Sequence, residues 1–227
     1  HPETMIAWYD AQAITGVADG DALALWPDMS GNGRDATQDD DPYKPVYVAD
    51  AGNGLPAVRF DTDWLEAVFS ADGLELPFTV FVVHKVTSDT MGNQNIIDGG
   101  SAGSRFRLGY NPPGEPLFAT FQNWPPALDA DIPIVTPMPD FSVITALYNE
   151  PGATSALRVD GEEVASSERM ASYLLVDITI GSRTSRDRQW LFGDIAEMIF
   201  YDSALADEEM AAVESYLADK YGFGLAP

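Results

Sequence analysis

Short apolar segments rich in Val, Ile, Phe and Tyr recur along almost the whole 227-residue chain, separated by Gly, Pro, Asn and Asp. The clearest are PAVRF (56–60), FTVFVVHKV (78–86), FSVITALY (141–148) and DIAEMIFYD (194–202). Runs of β-branched and aromatic residues bounded by turn residues are typical of β-strands. Their recurrence predicts an all-β protein, and the length fits a single domain over residues 1–227.

Two local patterns are more specific. In LRVDGEEV the dipeptide Asp160-Gly161 separates two strand-like halves, which predicts a tight β-hairpin. The segment DEEMAAVESYLADKYG (207–222) repeats apolar residues at Met210, Val213 and Leu217, begins with acids and ends in glycine. These signals predict one short C-terminal helix that closes the domain.

The charge balance restricts the partners. The chain has 36 Asp and Glu against 12 Lys and Arg, a net charge of −24. This field repels phosphate, so neither nucleic acid nor an anionic membrane is an expected partner. No apolar run is long enough to insert into a membrane, and the start HPETMIAWYD lacks the architecture of a signal peptide, as in a mature secreted fragment or a module of a larger protein. The acidity fits either solubility in a salty medium or carboxylates that collect divalent cations.

The stretch WPDMSGNGRDATQDDDP (26–42) matches two known patterns. Gly31 to Ala36 fits a glycine-rich nucleotide fingerprint, but the residues that follow cannot form the helix that would receive a phosphate. A calcium-binding loop fits better, with the following residues at positions 1, 3, 5, 6 and 12: Asp28, Ser30, Asn32, Gly33 and Asp39. A tight turn, in which Asp and Asn bond their own backbone, is the alternative.

Catalytic patterns are weaker. Gly99 to Gly103 places Ser101 in a nucleophile-elbow pattern, yet both histidines, His1 and His84, precede it, whereas such a hydrolase needs a later one. FDTDWLEAVF groups Asp61, Asp63 and Glu66 and resembles the catalytic E-x-D-x-x-E strand of certain β-glucanases, with Asp in place of the first Glu. In a strand, i and i+2 would project from one face. We assign no catalytic residue from the sequence.

Sugar binding calls for flat aromatic rings and for amide or guanidinium groups in loops. The long loops 87–104, 111–139 and 183–191 supply both, since long loops on a β scaffold commonly form binding surfaces. The predicted carbohydrate-binding residues are Trp124, Trp190, Tyr110, Arg105, Arg183, Asn123 and Gln94. Trp8, Trp26 and Trp64 lie in apolar contexts and are predicted to belong to the core.

Several segments together, from MIAWYDA and LALWPDMSGNGRDATQ to FGDIAEMIFYDSALADEEMAAVESYLADKYGF, resemble bacterial laminin G-like domains of the concanavalin A-like lectin/glucanase superfamily. The resemblance implies a jelly-roll sandwich of two antiparallel sheets with the helix at one edge. It also implies a structural calcium held by Asp28, Asn32, Asp35 and Glu197. Two departures stand out: many relatives carry Asp-Asp where this chain has Ala196-Glu197, and Ser where it has Ala206.

The resulting prediction is an extracellular or cell-surface, non-catalytic module that recognises a glycan, most simply a polysaccharide, beside flanking domains of a larger protein. Two alternatives stay open. One is an adhesive domain that binds proteins and has no sugar specificity. The other is a polysaccharide-degrading enzyme that uses Asp61, Asp63 and Glu66, or His84 with a tyrosine.

Overall fold

The computed structural model of the protein describes residues 2–69, 74–88, 92–99, 106–110, 117–121, 128–130, 137–168 and 174–226. The strands in these residues are β1 (Met5–Asp10), β2 (Leu25–Trp26), β3 (Ala36–Thr37), β4 (Val46–Gly52), β5 (Leu55–Asp61), β6 (Leu65–Val68), β7 (Leu74–Glu75), β8 (Phe78–Val86), β9 (Gln94–Gly99), β10 (Phe106–Tyr110), β11 (Leu117–Phe121), β12 (Leu128–Ala130), β13 (Ser142–Tyr148), β14 (Ser155–Val159), β15 (Glu162–Ser167), β16 (Leu174–Leu175), β17 (Asp177–Ile180) and β18 (Phe192–Tyr201). One α-helix follows, α1 (Asp207–Tyr221), and short 3-10 turns cover Pro2–Thr4, Ala11–Ala13 and Asp41–Tyr43.

The strands form two large antiparallel sheets that pack face to face. The first sheet has the order β15-β14-β13-β8-β18-β5-β4, and β1 pairs with the second half of β18. The second sheet has the order β12-β11-β10-β9-β17-β6-β3-β2. Strands β16 and β7 form a small separate ladder. The predicted fold class, an all-β sandwich with one C-terminal helix, is confirmed.

The position of strand β8 in the molecule explains why its sequence is almost continuously apolar. Val80 and Val82 point into the core between the two sheets, whereas Phe81 and Val83 point to the opposite face, where helix α1 covers them. Successive side chains of a strand alternate between faces, so a strand with both faces covered needs apolar residues at nearly every position. The first sheet is therefore the middle layer of the molecule.

The two local predictions are also confirmed. Asp160 and Gly161 adopt φ values of 48° and 85° and connect β14 to β15, as the primed hairpin turns require. Gly222 ends helix α1 in the left-handed conformation, and its N–H donates to the carbonyl of Ala218. At the start of the helix, where Ala206 cannot cap, the Glu209 carboxylate accepts the Ala206 N–H at 2.7 Å. In the described ranges no helix combines the length and apolar character needed to cross a membrane.

Candidate functional site

The loop between β2 and β3 is organised around the carboxylate of Asp28. Its Oδ1 accepts the backbone N–H groups of Trp8 and Ser30, each at 2.9 Å. Its Oδ2 accepts the Ser30 hydroxyl at 2.8 Å and the Arg34 N–H at 3.0 Å. Burial alone would raise the pKa of Asp28, but these hydrogen bonds outweigh it and hold the pKa below its ordinary value. Asp28 thus ties the loop to β1.

The other predicted calcium ligands in this loop also face protein partners. The Asn32 side-chain amide donates to the carbonyls of Met5 and Ile6 at 3.1 and 3.2 Å. Asp35 accepts the backbone N–H of Asp28 at 2.8 Å. The bond from the Ser30 N–H to Asp28 is the Asx-type bond expected of the alternative interpretation, a tight turn.

Glu197 lies in a different set of contacts, beneath the end of helix α1. Its side chain is fully buried and accepts hydrogen bonds from the Trp8 indole N–H at 2.7 Å, the Lys220 ammonium at 2.6 Å and the Tyr221 hydroxyl at 2.9 Å. Lys220 also contacts Asp10 at 2.7 Å. Burial raises the pKa of Glu197, although Lys220 opposes that rise. The cation that lies between the carboxylates of Asp10 and Glu197 is therefore the ammonium group of Lys220.

The four predicted ligands do not fit a shared calcium ion in this arrangement. Calcium needs six to eight oxygen ligands, and every carboxylate oxygen of Asp28 and Glu197 already accepts a protein donor. Across the described part of the chain, no group of three or more His, Cys, Asp or Glu side chains is placed to hold a metal. Calcium binding stays a prediction of the sequence, and thermal stability with and without calcium tests it.

Thermal melting gives that test. Because protein donors satisfy Asp28 and Glu197, we expect the same melting midpoint in millimolar calcium and in excess chelator. Magnesium at the same ionic strength is the control for general screening of the −24 charge. A midpoint that rises with calcium alone would contradict this expectation and would support the calcium site.

Two residues predicted to bind sugar are structural instead. Tyr110 is only 6% exposed and packs in the core between the sheets, so it offers no face to a sugar ring. Gln94 is 3% exposed; its amide donates to the Ser88 carbonyl at 2.7 Å and accepts the Phe192 N–H at 2.8 Å. Both corrections have one cause: the residues lie in strands β10 and β9, not in the adjoining loops. Trp124, Asn123 and Arg105 lie outside the described residues.

The partner of Tyr110 is His84 of β8, and their side chains join the two sheets by a hydrogen bond. The other ring nitrogen, Nδ1, lies 3.2 Å from the Ser142 carbonyl, an arrangement that suits a neutral ring protonated at Nδ1. Burial lowers the pKa of His84 to about 4. His84 has no exposed surface, which gives it a structural role rather than that of a base acting on a polysaccharide.

Trp190 belongs to an aromatic cluster that also contains Trp64 and Tyr43. The rings of Trp64 and Trp190 stack with centroids 6.0 Å apart and planes 25° apart, and Tyr43 lies 4.3 Å from Trp64 on centroids. Trp64 is buried as predicted, at 7% exposure, whereas Tyr43 is 41% exposed and Trp190 half-buried. This aromatic cluster therefore presents two rings to solvent around a fixed third one.

A row of polar side chains crosses the outer face of the second sheet beside the aromatic cluster. Leu65, Ile178 and Ile97 point into the core, so the alternate residues of these strands point outward. Pairing aligns the outward residues of four neighbouring strands in one polar strip, namely Glu66, Thr179, Asp98 and Arg107.

The segment 181–191, which holds the predicted residues Arg183 and Trp190, packs on this polar strip. The Thr184 N–H donates to Asp98 at 3.0 Å, and Arg107 lies 3.4 Å from the Gln189 side chain. Arg186 forms an ion pair with Glu66 at 2.6 Å and lies 5.8 Å from the centre of the Trp64 ring. Arg186 has a φ of 56°, in the left-handed region that L side chains seldom adopt. Asp98 and Thr179 are buried, at 0% and 2% exposure, whereas Glu66, Arg107 and Arg186 stay partly exposed on the same surface as the aromatic cluster.

The three acids considered for catalysis do not share a strand face. Strand β5 ends at Asp61, and Thr62 turns the chain with a φ of 65°. Asp63 folds back to accept the Asp61 N–H at 3.1 Å, and burial raises its pKa to about 6. Glu66 instead pairs with Arg186. The expectation of an i, i+2 carboxylate pair on one face is therefore wrong.

A family model for laminin G-like domains of the concanavalin A-like lectin/glucanases superfamily matches residues 65–211, well over half of the chain. The chain belongs to this superfamily. The resemblance deduced from the sequence is thus confirmed, and the superfamily's two-sheet sandwich is the fold described above. No curated protein matches the chain by sequence.

Solved structures share the fold at low sequence identity. The binding domain of botulinum neurotoxin serotype D matches with a TM-score of 0.69 and 13% identity, over 95% of this chain and 52% of the neurotoxin chain. Domain 4 of AbnA, an extracellular arabinanase from Geobacillus stearothermophilus in complex with arabinotriose, matches with a TM-score of 0.66 and 15% identity, over 93% of this chain and 98% of that one. Trypanosoma rangeli sialidase in complex with sialic acid matches with a TM-score of 0.66 and 10% identity, over 96% and 33%. The chain spans about half the length of the neurotoxin binding domain and a third of the sialidase.

Proposed function

We propose that the protein is a non-catalytic carbohydrate-recognition module, and that its glycan stacks on the aromatic cluster and hydrogen-bonds to the partly exposed groups beside it, Glu66, Arg107 and Arg186. The observation that carries the proposal is the stacked Trp64 and Trp190 pair with Arg186 held beside it. An aromatic face takes up the apolar C–H surface of a sugar ring, and fixed polar groups beside it orient the hydroxyls.

Pre-organisation of these groups supports the proposal. Trp64 packs against both Tyr43 and Trp190, and the ion pair with Glu66 fixes the guanidinium of Arg186. Binding groups that are already ordered lose little conformational entropy when a ligand arrives. Flexible polysaccharides lose entropy themselves on binding, so a rigid site suits them.

The type of ligand and the location are part of the same proposal. Among the fold neighbours, arabinanase domain 4 holds arabinotriose, the sialidase holds sialic acid, and botulinum neurotoxin type C depends on interaction with two ganglioside molecules for cell entry. We propose an extracellular or cell-surface module that works beside other domains of a larger protein. The non-catalytic assignment rests on the protein partners of two of the three acids considered for catalysis, since Asp63 accepts the Asp61 N–H and Glu66 is paired with Arg186.

Calorimetry with a glycan panel tests this site. The panel contains arabino-oligosaccharides, sialylated oligosaccharides and neutral polysaccharides, so that the class of ligand is identified as well as its affinity. Trp190→Ala should weaken binding about tenfold or more, because the apolar surface that one indole face buries stabilises a complex by about 1–2 kcal/mol. Tyr43→Ala should weaken it in the same direction.

Tyr216→Ala is the matched control for Tyr43→Ala, since Tyr216 on helix α1 is exposed to a similar extent, 46% against 41%. It should leave the glycan affinity unchanged. Full affinity in Trp190→Ala would overturn the proposed surface. Silence of the whole panel would favour the alternative of a protein-binding domain without sugar specificity.

A further inference from the structure

An apolar groove runs between helix α1 and strands β1 and β18, on the far side of the first sheet from the second sheet. It consists of two adjoining hollows of about 290 and 400 Å³. Tyr201, Ala212 and Val213 line both hollows, so the two are continuous. Met5, Trp8 and Tyr216 line the larger hollow.

The composition of the groove is that of a protein-binding surface. Trp, Tyr and Met are enriched at the centres of protein interfaces, and Trp and Tyr dominate their binding energy. Several of these side chains are fixed before any partner arrives. The Trp8 indole is bound to Glu197, and the Tyr216 ring lies 5.7 Å from the ammonium of Lys220. The groove is thus a rigid apolar surface with partly exposed aromatic walls.

Charge at the groove defines the partner. Glu208 and Glu209 line the smaller hollow, and Asp207 precedes them in the first turn of α1. The negative charge of these three carboxylates exceeds the partial positive charge of the helix N-terminus. At the opposite end the single charge of Lys220 is matched by both Asp10 and Glu197. Both ends of the groove are therefore net negative.

A second copy of this chain is a poor occupant, because two bodies of net charge −24 repel each other. A polysaccharide would gain little from an apolar groove whose rim is acidic. A peptide with aliphatic side chains flanked by Lys or Arg complements both the apolar lining and the charge of the rim.

We propose that this groove is a second binding site, independent of the glycan site, which docks a basic amphipathic peptide segment of a partner protein. The aliphatic side chains of the segment fill the two hollows between α1 and β1. Its lysine or arginine side chains pair with Glu208 and with the acidic surface around it.

The test uses the whole domain and a synthetic 18-residue amphipathic peptide of Leu and Lys, titrated by anisotropy, with a scrambled peptide of equal composition as reference. Ala212→Arg is the blocking variant, because Ala212 is exposed and lines both hollows. Ala211→Arg is the matched control: it is the exposed neighbour on the same helix, carries the same charge change and lines neither hollow. We expect saturable binding of the amphipathic peptide that weakens about tenfold in Ala212→Arg and stays within about twofold in Ala211→Arg.

Glu208→Gln provides a second readout, because Glu208 is exposed and its replacement leaves the core intact. It should weaken binding a few-fold and reduce the dependence of affinity on salt. Two results would overturn the proposal: equal binding of the scrambled peptide, or an equal loss of peptide affinity in Ala212→Arg and Ala211→Arg. Either would show general attraction to an acidic surface. Self-association that Ala212→Arg abolishes would also overturn it, in favour of a second copy as occupant.

Discussion

Asp28→Ala is expected to lower the free energy of unfolding by about 3 kcal/mol, because it removes one acceptor group that serves several donors. The backbone N–H groups of Trp8, Ser30 and Arg34 would each lose their partner. Trp8 lies in β1, which is held to the body through β18, so the loss would also loosen the first strand of the chain. Chemical denaturation measures the change directly.

Asp39→Ala is the matched control for this experiment. Asp39 occupies the last position of the calcium-like pattern, is exposed to solvent and lies a short way along the same segment. If the segment acts through hydrogen bonds, Asp39→Ala should have little effect on stability. Comparable losses in both variants would contradict the structural role of Asp28 and indicate a shared metal.

Acidification is expected to destabilise the protein through His84 as pH falls from about 6.5 to about 4. In this range the unfolded chain protonates His84 near its ordinary pKa, while burial keeps the folded-state pKa at about 4. The unfolded state therefore binds the extra proton, and stability rises with pH across this window. When the pH reaches the folded-state pKa of His84, the free energy of unfolding has fallen by about 3 kcal/mol, because each pH unit in this range contributes about 1.36 kcal/mol.

Asp63 acts in the opposite direction. Burial raises its pKa from 3.8 to about 6, so between these values the folded state binds the proton and gains stability as pH falls. The wild-type profile contains both contributions, and variants separate them. His84→Gln retains one donor and one acceptor for Ser142 and Tyr110 and should reduce the fall in unfolding free energy on acidification. Asp63→Asn should make that fall steeper. Parallel wild-type and His84→Gln curves between pH 6.5 and 4 would rule out His84 as the cause.

The sandwich was predictable because its signals are local. Turn chemistry at Asp160-Gly161 and the periodicity of 207–221 act within a few residues, and both elements form where the sequence places them. The near-continuous apolar run of β8 likewise matches a strand buried on both faces.

The candidate site was predictable only in part. Loop 183–191, which holds Arg183, Arg186 and Trp190, was selected from the sequence, but Tyr43 was missed as a neighbour of Trp64. Trp64 was correctly predicted to be buried, yet its role as the fixed ring of the aromatic cluster depends on rings from three separate segments. Alternation in β6, β9, β10 and β17 could have revealed the polar strip, had the strand order been known.

The sequence by itself determined the long central strands, the hairpin, the closing helix and the superfamily, because backbone propensity and hydrophobic alternation are properties of neighbouring residues. Only the tertiary structure decided which polar groups meet. The spacing of Asp28, Asn32 and Asp35 suits a cation and a hydrogen-bonded turn equally well, since both need oxygen atoms at alternate positions. The N–H groups of Trp8 and Arg34, and the ammonium of Lys220 beside Glu197, are the donors that the carboxylates of Asp28 and Glu197 meet in the structure, and packing alone places them there.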